Sequence, residues 1–193
     1  MTPRRSALAA FAVALVLTFP AAAQAPPDAE ARIAAQQEAM ERIAFLDGEW
    51  RGTAWTLTPS GEKELLTQTE RVGSFAEGTV KLIEGRGYAQ DGSLAFNAFA
   101  VVSYEPDGDT FTMRSHALGR AGDFEIVPTE NGFTWEIPAG PASFRYTATV
   151  KDGEWHQVGE RIVEGQEPLQ FFGMDLVRLG DTDWPAGGAV GAK

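Results

Sequence analysis

Cysteine is absent from this 193-residue chain, and histidine occurs only twice, at His116 and His156. Without cysteine there can be no disulfide, Cys-ligated zinc, iron–sulfur cluster or thiol nucleophile. The two histidines are far apart and show none of the close spacings that zinc sites use. The sequence therefore predicts no metal site, and a domain that is stabilised by its apolar core alone.

Basic residues are also scarce, with 16 Lys and Arg against 27 Asp and Glu, a net charge of −11. After Arg4 and Arg5 the chain has no basic run, so it lacks the footprint that nucleic acids and anionic membranes require. Two catalytic signatures are missing as well. There is no G-x-S-x-G elbow, and the glycine-rich stretch "EGRGYAQDGS" fits neither a phosphate loop nor a dinucleotide fingerprint.

The first residues have the features of an export signal. Arg4 and Arg5 precede an apolar run over residues 7–19, and small side chains lead up to Gln24. We predict a Sec-type signal peptide over residues 1–23, hence a periplasmic or secreted protein with no stable membrane anchor after cleavage. The alternative is an uncleaved anchor, but the apolar run is short against the span of about 20 residues that a membrane needs.

The rest of the chain divides into a linker with one helix and an all-β domain. Residues 24–45 hold a Pro-Pro linker and a modestly amphipathic helix, residues 46–180 form the domain, and residues 181–193 are predicted to be a disordered tail. From Glu49 onward, alternating apolar residues are interrupted by turn signals such as Asp91-Gly92, Asp107-Gly108, Asn131-Gly132 and Asp152-Gly153. Asx-Gly pairs favour tight hairpins because both residues tolerate positive φ.

These turn signals divide the domain into ten predicted strands, and no helical pattern separates them. A meander of that length must close to remove its edges. We therefore predict an antiparallel up-and-down β-barrel of about ten strands, preceded by one N-terminal α-helix, and wide enough for an internal cavity. The predicted strands lie at about 49–58, 63–74, 78–90, 94–105, 109–118, 122–128, 132–138, 142–151, 154–164 and 168–179.

The stretch "FLDGEWRG" resembles the G-x-W signature of the first strand in lipocalin-like (calycin) barrels. Together with "LIEGRGY", "DGEWHQVGERIVEG" and "QFFGMDLVRL", it resembles a bacterial family of secreted lipocalin-like domains of unknown function, distantly related to nitrobindin-type heme barrels. The resemblance implies that Trp50 closes one barrel end and that Arg178, near the end of the last strand, packs over it. Nitrobindin-type barrels hold heme through a histidine on a late strand; residues 170–179 contain none, which argues against heme.

Charged and aromatic residues that alternate onto apolar faces are the candidate ligand-binding residues: Glu70, Glu84, Arg86, Tyr88, Tyr146, His156 and Glu160. If these faces point inward, they supply polar groups to an otherwise apolar cavity. If the register differs by one residue, the same side chains face water. The leading hypothesis is a barrel that binds a small apolar or amphiphilic molecule. The alternatives are an enzyme that uses the cavity carboxylates and histidine for acid–base chemistry, and a cell-envelope interaction module.

Overall fold

The computed structural model describes residues 28–187 and 190. The predicted signal peptide and most of the linker lie outside the described residues. Helix α1 spans Ala29–Glu41, and a 3₁₀ turn over Ala44–Leu46 leads into the first strand. Within the described chain α1 is the only α-helix, and its 13 residues are too few and too polar for a transmembrane helix.

Ten antiparallel strands form a closed barrel in which each strand pairs with its sequence neighbours and the first pairs with the last. This confirms the predicted fold class, and every strand begins and ends within two residues of the predicted positions. The strands are β1 Gly48–Leu57, β2 Lys63–Phe75, β3 Val80–Tyr88, β4 Leu94–Glu105, β5 Thr110–Ala117, β6 Arg120–Thr129, β7 Gly132–Ala139, β8 Ala142–Lys151, β9 Glu154–Val163 and β10 Leu169–Gly180.

The two ends of the barrel differ in how they are closed. Helix α1 packs against β3, β4 and the turns at Ala76–Gly78 and Pro106–Gly108, and covers one end. Ala39, Met40, Ile43 and Leu46 are buried there, whereas Ile33 is exposed. The opposite end carries only hairpins. We call these the helix end and the open end.

The core occupies the half of the barrel lumen nearest the helix end. Its inward side chains are buried and include Trp50, Val72, Val102, Phe111, Phe133 and Trp155. Toward the open end the inward side chains are only half-buried, among them Phe96, Ala98, Ser115, Ala117, Trp135, Tyr146 and Phe172. The lumen is therefore filled in one half and accessible to solvent in the other.

Strands β6 and β7 form the weakest part of the wall. They share three residue pairs, from Val127 opposite Thr134 to Thr129 opposite Gly132. By contrast, β7 keeps eight pairs with β8 along its whole length. The two strands therefore separate toward the open end, where Phe124 and Trp135 pack against each other with ring centroids 5.4 Å apart.

The C-terminal segment after β10 lies against the outside of β2. Trp184 packs under the guanidinium of Arg71, 4.4 Å from the ring centroid. Its carbonyl oxygen occupies the space that a side chain at Gly73 would need. The structure thus places the first seven residues of the predicted disordered tail, and the cation–π contact with Arg71 holds Trp184 in place.

Candidate functional site

The inward face can be followed around the barrel from Trp50, because residues paired across neighbouring strands point to the same side of a sheet. On one side Trp50 pairs with Glu70, Glu70 with Gly85, and Gly85 with Ala98. On the other side β10 presents Phe172, Met174 and Leu176, and β8 presents Phe144, Tyr146, Ala148 and Val150, all on the lumen side.

Five of the seven predicted ligand-binding residues are on the outer wall, which corrects the sequence-based prediction. Glu84, Arg86 and Tyr88 alternate with the inward Ile83, Gly85 and Gly87 of β3, and His156 and Glu160 alternate with the inward Trp155, Gln157 and Gly159 of β9. Both strands carry apolar residues on both faces, so the apolar pattern indicated the wrong face. Only Glu70 and Tyr146 of the seven face the lumen.

Of these five residues, Glu84 and Arg86 form ion pairs on the outer wall, and His156 contacts Asp175 there. Glu84 accepts hydrogen bonds from Arg71 and Arg86, each with a 2.7 Å contact. Partial burial favours the neutral acid, but these two guanidinium groups lower the pKa of Glu84 overall. His156 Nδ1 lies 2.5 Å from Asp175 Oδ1, with both side chains mostly exposed. These contacts satisfy the charges locally and do not converge on a lumen site.

The lumen carboxyl of Glu70 sits at the boundary between the filled and the open half. Its Oε1 accepts a hydrogen bond of 2.7 Å from Gln68 Nε2. Both carboxyl oxygens lie against Gly85, within 2.8 Å of where a Cβ would stand, so only glycine leaves room for them. Burial raises the pKa of Glu70 to about 8, and the negative charge of Glu84 adds to the shift.

An aromatic wall stands across the lumen from Glu70. Strand β7 is five strands away from β2 in either direction around the ten-stranded barrel, so Trp135 belongs to the strand diametrically opposite. Trp135 stacks on Tyr146 with centroids 4.3 Å apart and planes at 8°. Phe171 and Phe172 pack edge-on against Tyr146, and burial raises the pKa of its phenol to about 12.

The barrel wall between Glu70 and the aromatic rings is lined by small side chains. Ala98 and Ala100 of β4 and Ser115 and Ala117 of β5 face inward and lie side by side, with Gly122 of β6 next to Ser115. The open half of the lumen is therefore bounded by small residues on one side and by aromatic rings on the other.

Two clefts can be described at the surface, and neither is a sealed chamber inside the barrel. One of about 510 Å³ lies at the open end around residues 97–99 and 116–121. It mixes the inward Ala98 and Ala117 with the outward Phe99 and His116. The other, about 240 Å³, lies on the outer wall beside Asp175 and His156. Neither cleft is lined by Glu70, Trp135 or Tyr146, so these two clefts do not show the expected internal cavity.

Several inward polar residues were not predicted from the sequence, among them Gln68, which is 4% exposed and donates to Glu70. Lys81 is 1% exposed and its ammonium group pairs with the carboxylate of Asp47. Trp155 is buried, and its indole N–H has no hydrogen-bond partner among residues 28–187. In the sequence, Lys81 shares its two-residue period only with Ile83, Gly85 and Gly87 of β3. That pattern can be interpreted only once the two glycines are known to face inward.

The predicted closure residues lie together at the helix end. Trp50 is 1% exposed, donates from Nε1 to the Leu46 carbonyl at 2.8 Å, and packs edge-on against Trp155. Arg178 is opposite Trp50 in the β1–β10 ladder, and its guanidinium donates twice to the Asp47 carbonyl at 3.1 and 2.9 Å. Asp47 therefore links the helix end to β3 through its side chain and to β10 through its backbone.

Heme ligation can be tested on the two histidines of the chain. His116 pairs with the outward Phe99, and His156 pairs with the outward Asp175. Neither imidazole faces the lumen, so the residues present do not fit axial ligation of a heme there. Among the described residues, no three His, Cys, Asp or Glu side chains come together as a metal site would require.

Comparison with known proteins finds similarity in structure but not in sequence. No protein-family profile matches the chain, and no curated protein matches it. Rv2717c from M. tuberculosis superposes with a TM-score of 0.54 at 10% identity, covering 72% of this chain and 96% of that one. The S-type phycobiliprotein lyase CPES from Guillardia theta gives 0.50 at 9% identity, covering 78% and 98%. With its closed ten-stranded ladder, the chain has the fold of a lipocalin-like, calycin-type barrel.

Proposed function

We propose that the open half of the lumen binds a small amphiphilic molecule. The observation that carries this proposal is the asymmetry of the inward face, with the stacked Trp135 and Tyr146 on one side and Ala98, Ala100 and Ser115 on the other. A half-open, mostly apolar space with one polar group is the usual form of a small-molecule site. The partner is thus a small organic molecule rather than a macromolecule.

A neutral fluorescent probe tests this proposal. We expect 1-aminoanthracene to bind the protein with an increase in fluorescence, because the aromatic wall shields it from water. Ser115→Trp adds a large ring among the small inward residues and should abolish the increase. Thr53→Trp is the matched control, since Thr53 is exposed on the outer face of β1 and should leave binding unchanged. Equal binding by both variants, or none by the native protein, would contradict a lumen site.

The acid–base alternative loses its support from the arrangement of the side chains. Of Glu70, Glu84, Arg86, His156 and Glu160, only Glu70 faces the lumen. General acid–base catalysis requires its groups within hydrogen-bond reach of one substrate. The described residues therefore favour binding over catalysis.

We also propose that the protein is exported and acts in the periplasm or outside the cell. The support is the order of features over residues 1–23: two arginines, an apolar run and small residues before Gln24. A mature chain that begins at Gln24, identified by its mass, is the expected product of cleavage.

A further inference from the structure

The geometry points to an organic ammonium ion as the ligand of the lumen, with its charged group on the free oxygen of Glu70 and its apolar body against Trp135 and Tyr146. This inference rests on the proposed function and adds the chemical class of the ligand. It follows from three features of the inward face: the hydrogen bonding of Glu70, the cations around it, and the rings opposite.

Glu70 has one oxygen without a protein partner. Gln68 occupies Oε1 at 2.7 Å, and no hydrogen bond joins Oε2 to any of the described residues. Gly85 leaves the space that the carboxyl occupies, since a Cβ there would lie 2.7 and 2.8 Å from its two oxygens. A carboxylate with one oxygen fixed and the other available accepts a charge-assisted hydrogen bond from an ammonium group.

No cationic side chain of the described chain competes for that oxygen. Lys81 faces inward on β3 but is held by Asp47, and Arg71 and Arg86 are engaged by Glu84 on the outer wall. The inward positions of β1 and β4 next to Glu70 hold Trp50, Gly52, Ala98 and Ala100, none of them charged. The remaining titratable groups of the inward face are Tyr146, Arg178 at the helix end, which donates to the Asp47 carbonyl, and, at the open end, Glu64, Arg120 and Arg161.

A buried acid without a cation is expensive to ionise, and a ligand that brings its own positive charge removes that cost. The stacked rings of Trp135 and Tyr146, across the lumen from Glu70, supply an apolar surface for the body of the ligand. The acidic surface of the protein, with net charge −11, also raises the local concentration of organic cations. A neutral or anionic ligand gains neither electrostatic contribution.

Two isosteric probes test the inference. 2-Phenylethylamine and 2-phenylethanol share one apolar body and differ only in the polar group. We measure their displacement of 1-aminoanthracene at pH 8.5, where Glu70 is mostly ionised and an aliphatic amine keeps its proton, as lysine does up to about pH 10. We expect the amine to bind about tenfold or more tightly than the alcohol, which corresponds to one charge-assisted hydrogen bond.

Glu70→Gln is the decisive variant because it keeps the size and the contact with Gln68 but cannot ionise. It should reduce the preference for the amine to about onefold while still binding 1-aminoanthracene. Glu160→Gln, on the outer wall opposite Arg145, should keep the native preference. Below pH 8 the native protein must release the Glu70 proton, so amine affinity should fall by up to about tenfold per pH unit, and the variant should show no such slope.

The outcomes separate the two proposals. If 1-aminoanthracene and the alcohol bind but the amine has no advantage, or if Glu70→Gln keeps that advantage, the ammonium inference is overturned and the binding function stands. If none of the three probes binds the native protein, both are overturned.

Discussion

At the scale of single residues, the contacts of Trp50 and Asp47 explain why β1 begins with a tryptophan between charged residues. Trp50 points into the core while its neighbours Glu49 and Arg51 point outward. Asp47 pairs with Lys81 and accepts from Arg178, so the turn before β1 joins three parts of the barrel. Gly48 has a φ of +126° and lies so near the Arg178 guanidinium that a side chain would collide with it.

Replacing Trp50 should therefore destabilise the fold without acting on the lumen site directly. We expect Trp50→Ala to lower the free energy of unfolding by about 3–5 kcal/mol, as large-to-small changes in a filled core do. Trp55→Ala is the matched control on the same strand. Trp55 faces outward beneath Lys63, so its loss should cost about 1 kcal/mol. Urea titrations of both variants measure the difference, and equal losses would show that Trp50 does not close the barrel.

At the scale of strands, the sequence predicted the strand boundaries well. It predicted which residues face the lumen correctly for some strands only. The boundaries could be predicted because tight hairpins need specific residues. Asp152 and Gly153, for example, both have positive φ, as a two-residue turn requires. The face of β8 was clear because Phe144, Tyr146, Ala148 and Val150 alternate with Arg145, Thr147, Thr149 and Lys151.

The faces of β3 and β9 could not be read from their own residues. Leu82 on β3 and Val158 on β9 are apolar but face outward, whereas the inward positions of the same strands include Gly85 and Gln157. The inward face of β3 is fixed by pairing with β2, where the Glu70 carboxyl needs the space above Gly85. Such information resides in a neighbouring strand, so alternation along one strand cannot supply it.

The short β6–β7 ladder makes a prediction at this same scale. Amide protons of β7 between Trp135 and Ala139 that point toward β6 lack a strand partner there, whereas those that point toward β8 are paired. We expect the first group to exchange with solvent at least about tenfold faster than the second, because exchange from unpaired amides needs no opening of the ladder. Amide exchange followed by NMR measures this, with β4 and β5 as the fully paired reference. Uniform protection along β7 would contradict an opening in the wall.

At the scale of the whole molecule, stability should depend on pH through Glu70. Burial raises its pKa from 4.5 to about 8, so between these values the folded chain binds a proton that the unfolded chain has released. The contribution of this group is thus complete below pH 4.5 and is lost as pH rises to about 8, with a slope of at most about 1.4 kcal/mol per pH unit. Denaturant titrations from pH 5 to 8.5 measure the slope, and Glu70→Gln should reduce it. An unchanged slope in that variant would show that another titratable group causes the pH dependence of stability.

The pairing of β1 with β10 also has a consequence for how the chain acquires its structure. Nine of the ten strand pairings join neighbours in sequence, but the tenth joins Trp50 on β1 to Arg178 on β10 and needs the entire intervening chain. Such a distant closure carries a large loop entropy and slows folding relative to local hairpins. During synthesis from the N-terminus, the edge of β1 that pairs with β10 therefore stays unpaired until the last strand has been made. The turn around Asp47, which contacts both β3 and β10, is complete only at that last step.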